Sequence, residues 1–172
     1  MKTLTLALIL VMLAAVAVGQ EKPDVERVEE QIASQLKTRL PGWKYKRLEP
    51  FGGSTTIVTQ TWCTTNRVVK VAVAIRESAE DAKKEIRSFL QFRRDPEELI
   101  GFGEEAYAPE RNGYDIVLRR GRFVIYISTV VYVESDSDSQ SLSKAEIEAR
   151  GKAEVHRIGR EFARQLSSID LP

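Results

Sequence analysis

The chain is poor in the residues that most often carry out chemistry. It holds one cysteine, Cys63, and one histidine, His156, among 172 residues. A single thiol cannot close an intramolecular disulfide, so the core must hold the fold unaided. Zinc sites need Cys and His clustered at defined spacing, and one of each, far apart in the chain, makes none. An excess of charge is missing too. The 26 basic side chains face 25 acidic ones, and loss of Lys2 with an N-terminal leader makes the numbers equal. A nucleic-acid footprint needs a basic excess, as does a general electrostatic hold on anionic membranes. Neither partner is expected.

What is present begins with MKTLTLALILVMLAAVAVGQEKP. Lys2 forms a short positive region, Leu4 to Val18 an apolar one, and Ala17-Val18-Gly19 a small-residue cleavage pattern. That is the layout of a secretory signal peptide. The apolar run falls short of the roughly 20 residues of a membrane-spanning helix. Cleavage is expected near Gln20, with an uncleaved N-terminal anchor as the rival. No cysteine follows the run, so a lipid anchor is not expected. Residues 1–19 read as a signal peptide and residues 20–172 as one exported domain, periplasmic or extracellular, without a membrane span. A domain of that size buries roughly two thirds of the surface its unfolded chain exposes. In an exported protein, Cys63 is either buried and inert or a point of intermolecular pairing; burial is expected from the habits of free cysteine.

Periodicity then divides the domain. Val25, Val28, Ile32, Leu36 and Leu40 form one helical stripe over residues 24–40, with Asp24 as a cap and Pro41-Gly42 as the stop. WKYKRLEP reads as a strand with Trp43, Tyr45 and Arg47 on one face. TTIVTQTWC follows, rich in β-branched residues. In RVVKVAVAIR, Val69, Val71, Val73 and Ile75 alternate with Lys70, alanines and Arg76. Ser78 and Asp81 resemble a capping box for a helix with its stripe at Ala79, Ala82, Ile86, Phe89 and Leu90. Residues 101–108 connect into a short strand, Asn112-Gly113 turns, and Arg120-Gly121 marks a hairpin tip. Residues 122–133 carry apolar side chains on both faces, as a central strand does. Ser143 and Glu146 make a capping box for a last helix, striped at Val155, Ile158, Phe162, Leu166 and Ile169. The expected fold class is α+β: a single domain with an antiparallel sheet of five or six strands, packed by two or three helices.

The search for a reaction centre returns little. His156 lies beside Val155 among Lys152, Arg157 and Arg160, without a visible partner constellation. Glu134, Asp136 and Asp138 alternate like the start of a calcium loop, but Ser141 and Ile147 stand where an EF-hand loop from Asp136 needs Gly and Glu. No nucleophile elbow or phosphate loop is present. No metal or cofactor is expected. Glu104 and Glu105 are candidate carboxylates for a small hydrolase, though neighbours on a strand face opposite ways. The other reading has them shaping the strand entry beneath Tyr107. Arg119, Arg120 and Arg122 surround the hairpin tip; Lys44, Lys46 and Arg47 line another strand. If such cations converge they form an anion-binding face; otherwise they keep edges soluble.

GFGEEAY, a gap, then GYDIVLRRGRFVIYIS over residues 101–128 resembles bacterial envelope domains with a G-x-G-D/E-E-A-Y … R-x-G-x-x-V-x-V pattern. These include small lipoproteins and sensor-like extracellular domains with a PsbP/Mog1-like fold. The resemblance implies that fold and no catalytic residues. The chain departs from it in lacking the lipobox cysteine and paired disulfide cysteines, which weakens a sensor role. The expectation is an exported, non-enzymatic binding domain for an unknown protein or small-molecule partner. Its binding surface is expected on the sheet face not covered by helices, rimmed by Tyr107, Tyr114, Arg119, Arg120 and Arg122. The rivals are the carboxylate hydrolase and a passive envelope or assembly component.

Overall fold

The computed structural model describes residues 24–48, 55–108, 115–132 and 143–172. The expected leader, Asn112-Gly113, Tyr114 and the acidic connector at 134–138 lie outside them. Helix α1 spans Asp24–Arg39 and buries Val28, Ile32 and Leu36 along the anticipated stripe. Strands β1 (Lys44–Arg47), β2 (Ile57–Cys63) and β3 (Arg67–Ile75) follow, then helix α2 (Ala79–Leu90). Ser78 caps α2, its hydroxyl accepting from the Asp81 amide at 3.1 Å. Strands β4 (Glu97–Glu98), β5 (Glu105–Ala108), β6 (Asp115–Arg120) and β7 (Phe123–Val131) lead to helix α3 (Lys144–Ser167). The Ser143–Glu146 capping box opens α3 with both reciprocal hydrogen bonds in place.

The fold is α+β: the described residues form three helices on a seven-stranded sheet ordered β1-β2-β3-β7-β6-β5-β4. Every neighbouring pair is antiparallel. Two meanders therefore meet at their longest strands, and β3 pairs with β7 from Arg67↔Val131 to Ile75↔Phe123. The strand beyond the expected five or six is β4, two residues directly after Pro96, too short to show any alternation. Gly121 turns the β6–β7 hairpin at φ +52, a conformation that costs glycine little.

Alternation decides what each sheet face meets. Val58, Trp62, Val71, Val73, Ile125 and Ile127 point to one face and are buried. Helix α1 closes that face over β2, and α3 closes it over β6 and β7. At its centre Phe162 of α3 meets Trp43 at 4.8 Å and Trp62 at 6.3 Å between ring centroids, in edge-on geometries that aromatic quadrupoles favour. Thr129 of β7 is fully buried here beneath Gly159, and its hydroxyl has no hydrogen-bond partner. An unpaired buried hydroxyl is costly, and valine has nearly the same shape. Thr129→Val is therefore expected to stabilise the protein by about 1 kcal/mol in urea denaturation.

The other face is only half covered, for a topological reason. Helix α2 carries the chain from β3, at the centre of the sheet, to β4 at its far edge. It therefore lies over β6 and β7. There Ala82 and Ile86 pack on Ala74, Val117 and Val124. No helix packs on β1, β2 or the outer part of β3 from this side among the described residues. Burial records the boundary along single strands. On β3, Ala74 is buried, Ala72 half-buried and Lys70 exposed; on β7, Val124 is buried, Tyr126 and Ser128 half-buried and Val130 exposed.

Candidate functional site

The uncovered half of the sheet is built row by row from the strand register. One row runs Lys46–Thr61–Lys70–Ser128–Asp115, and the next Lys44–Cys63–Val68–Val130. A groove of about 320 Å³ opens where α2 stops short, between Phe89 and the sheet. Lys70, Ala72, Asp115, Tyr126 and Ser128 line it. The Phe89 and Tyr126 rings meet edge-on at 5.4 Å and form its wall. This volume lies at the small end of ligand pockets, which pair apolar walls with a few directed polar groups.

The groove wall is held by an ion pair under α2. Glu85 accepts hydrogen bonds from Arg76 and, at 2.7 Å, from the Tyr126 hydroxyl. Burial pushes the Glu85 carboxyl up, but the Arg76 and Tyr126 hydrogen bonds outweigh it and leave the pKa below the ordinary value. Burial and the Glu85 contact raise the Tyr126 phenol. A carboxyl with a depressed folded pKa stabilises the protein above its unfolded pKa, and that stabilisation is lost as pH falls through the folded value. Stability is therefore expected to fall with acidification below about pH 5. Glu85→Gln should cost about 1–3 kcal/mol at pH 7 and flatten that acid limb, as urea midpoints across pH would show.

Of the residues anticipated as a binding rim, Tyr107 and Arg119 meet at Glu105, while Arg120 and Arg122 turn to other parts of the molecule. Arg119 lies on the α2 side of the sheet with its side chain only 12% exposed, donating to Glu104 at 2.5 Å and Glu105 at 3.2 Å. Arg120 points to the opposite face and donates to the Ile169 carbonyl beyond α3. Arg122 pairs with Asp24 of α1 at 2.9 Å and rests over the Phe123 ring. Tyr107 is half-buried against the α2 cluster, its hydroxyl donating to Glu105 at 3.3 Å. Three arginines thus tie one hairpin to three different parts of the molecule.

The glutamate pair forms a clamp. Glu104 accepts from the Gly121 amide at 2.6 Å and from Arg119, and that amide, assisted by Arg119 against burial, holds its carboxyl below the ordinary range. The Glu104 amide donates to the Arg119 carbonyl at 3.1 Å. Gly103 makes this approach feasible: a Cβ there would lie 2.7 Å from the Arg119 carbonyl oxygen. The GFGEEAY stretch is therefore the fastening of the hairpin tip, with each carboxylate engaged by Arg119.

The remaining candidates are placed as follows. Cys63 is half-buried rather than enclosed, because alternation turns Trp62 inward and leaves Cys63 on the uncovered face, its sulfur 3.6 Å from the Lys44 carbonyl. His156 lies half-buried beside Lys152, Arg157 and Arg160, and its Nε2 has no hydrogen-bond partner. The described residues contain no group of three or more His, Cys, Asp and Glu side chains able to hold a metal, and no helix long and apolar enough to cross a membrane. A polar hollow of about 600 Å³ separates α1 from β1. At its floor the buried Glu29 carboxylate accepts from the Tyr45 hydroxyl at 2.6 Å and pairs with Arg47 at 3.1 Å. Phe89, Tyr126, Ser128 and Asp115 are not among the site residues expected from the sequence, where Phe89 figures only in a helical stripe; the small residues opposite the apolar positions of β3, Ala72 among them, were the available signal. Comparison of the chain with family models, curated proteins and solved structures gives no significant match.

Proposed function

We propose that the protein is an exported, non-enzymatic binding domain that takes its partner on the uncovered half of the sheet, in the bacterial periplasm or outside the cell. The observation that carries this reading is the reach of α2. It covers only the β6–β7 end of one face and leaves a polar, three-strand surface beside an aromatic-walled groove. The leader-like N-terminus, Lys2 followed by Leu4 to Val18 and Ala17-Val18-Gly19, supports export. The carboxylate hydrolase is the weaker reading, because Glu104 and Glu105 are both committed to Arg119. The resemblance to envelope domains agrees with a binding role but adds no site residue.

Native mass spectrometry of the protein from the exported fraction of its host tests this reading. The expected spectrum begins near Gln20 and carries a bound molecule that Lys70→Glu releases. A chain starting at Met1 favours the uncleaved N-terminal anchor over a cleaved signal peptide, absence of the protein from that fraction argues against export, and a bound molecule indifferent to Lys70→Glu places binding elsewhere.

A further inference from the structure

We propose that β1 accepts an extended acidic segment of a partner protein as an added strand, an inference that rests on the uncovered face being the binding surface. Among the described residues, strand β1 is the outermost strand on its side of the sheet, with β2 as its one neighbour. Its outer edge therefore offers backbone donors and acceptors to an incoming chain, the arrangement used in strand addition. The edge is pre-formed. Tyr45 and Arg47 are anchored to Glu29 of α1 on one face, which holds β1 extended without help from a partner. On the other face, Lys44 and Lys46 point outward beside Cys63 and Thr61, and Lys70 continues the row of Lys46.

These three lysines are grouped on one face of the sheet. No carboxylate of the described residues lies within ion-pair distance of Lys44, Lys46 or Lys70, whereas Arg76, Arg119, Arg122 and Arg160 each have one. Asp115 stands two strands away from Lys70 in the same row. Lysines on a short edge strand discourage pairing with a like-charged strand, including β1 of a second copy. The same charges favour a strand with acidic residues at alternate positions, since those side chains would stand beside Lys44 and Lys46 on one face. A peptide is favoured over a sulfated glycan because only a peptide can continue the backbone ladder.

The test is an amide-resolved NMR titration of the processed protein with a short blocked peptide alternating glutamate and valine. Its lysine–valine counterpart and a sulfated oligosaccharide are run in parallel. The expected result is saturable shifts and slowed exchange of β1 amides with the acidic peptide, weakening with salt. The basic peptide should bind at least about tenfold more weakly. The double variant Lys44→Glu, Lys46→Glu should reverse the preference, a gain of binding that a misfolded protein does not give. Three results overturn the inference: no shift with the acidic peptide, equal binding of the oligosaccharide without β1 protection, or no reversal in the double variant. Shifts confined to Lys70, Ser128 and the groove would also remove strand addition but leave the uncovered face as the binding surface. Retention of the natural partner by Lys70→Glu would remove the face itself.

Discussion

Trp62→Ala is expected to destabilise the protein by about 3–5 kcal/mol, the range for removing a buried aromatic side chain. The indole is fully buried and stands between two neighbours, Phe162 at 6.3 Å and Tyr45 at 5.1 Å between centroids. Its removal empties the junction of α3 with β1 and β2 and forfeits both ring contacts. It also strips a donor from Gln60, whose amide oxygen accepts from Trp62 Nε1 at 3.2 Å. Gln60 is itself fully buried and donates to the Glu29 carbonyl at 2.9 Å, so the loss spreads toward α1. For a domain of this size the melting temperature should fall by roughly 10 °C or more. Trp62→Phe should cost clearly less, since it retains most of the volume while losing the same hydrogen bond. A loss below about 1 kcal/mol in Trp62→Ala would show that this junction does not organise the core.

Gly103→Ala is expected to cost about 2–4 kcal/mol through two separate strains. Gly103 adopts φ +77, which L side chains rarely take, and a Cβ would sit 2.7 Å from the Arg119 carbonyl oxygen. That oxygen is backbone and already accepts the Glu104 amide at 3.1 Å, so it cannot move aside without loosening the clamp. Gly101 is the internal control. It has φ +86 but nothing within 4 Å of the corresponding Cβ, so Gly101→Ala carries the conformational strain alone, about 1–2 kcal/mol. Urea denaturation of the two variants side by side separates the terms. Equal losses would mean that close packing at Gly103 contributes nothing.

Much of this fold was legible because local patterns determined it. The stripes of α1 and α3, the Ser143–Glu146 box, the alternation of β3 and the two-sided apolar character of β7 each follow from period and capping. The hairpin at Gly121 follows from turn chemistry. The proposed binding surface was legible only as a face without helices. Which half stays bare depends on β4 lying at the far edge, so that α2 crosses β6 and β7. Strand order is a non-local property, and two residues of β4 give it no local signature. The hairpin arginines show the same limit at the level of side chains. Arg119 and Arg120 are adjacent in sequence, yet the pleat sends them to opposite faces, and Arg122 finds a partner nearly 100 residues earlier in Asp24. Cys63 was expected inside on the habits of its residue type, whereas its position after the inward Trp62 puts it on the uncovered face.

The central claim is that the half-sheet around Lys70 is where this protein meets its partner. Site-specific photo-crosslinking in the living host tests it most directly, with the reactive group at Lys70 in one protein and at the exposed Glu148 of α3 in another. The account predicts a discrete adduct from position 70, lost when Lys44 and Lys46 are changed to glutamate, and none from position 148. An adduct of equal yield from both positions, or from 148 alone, would contradict it.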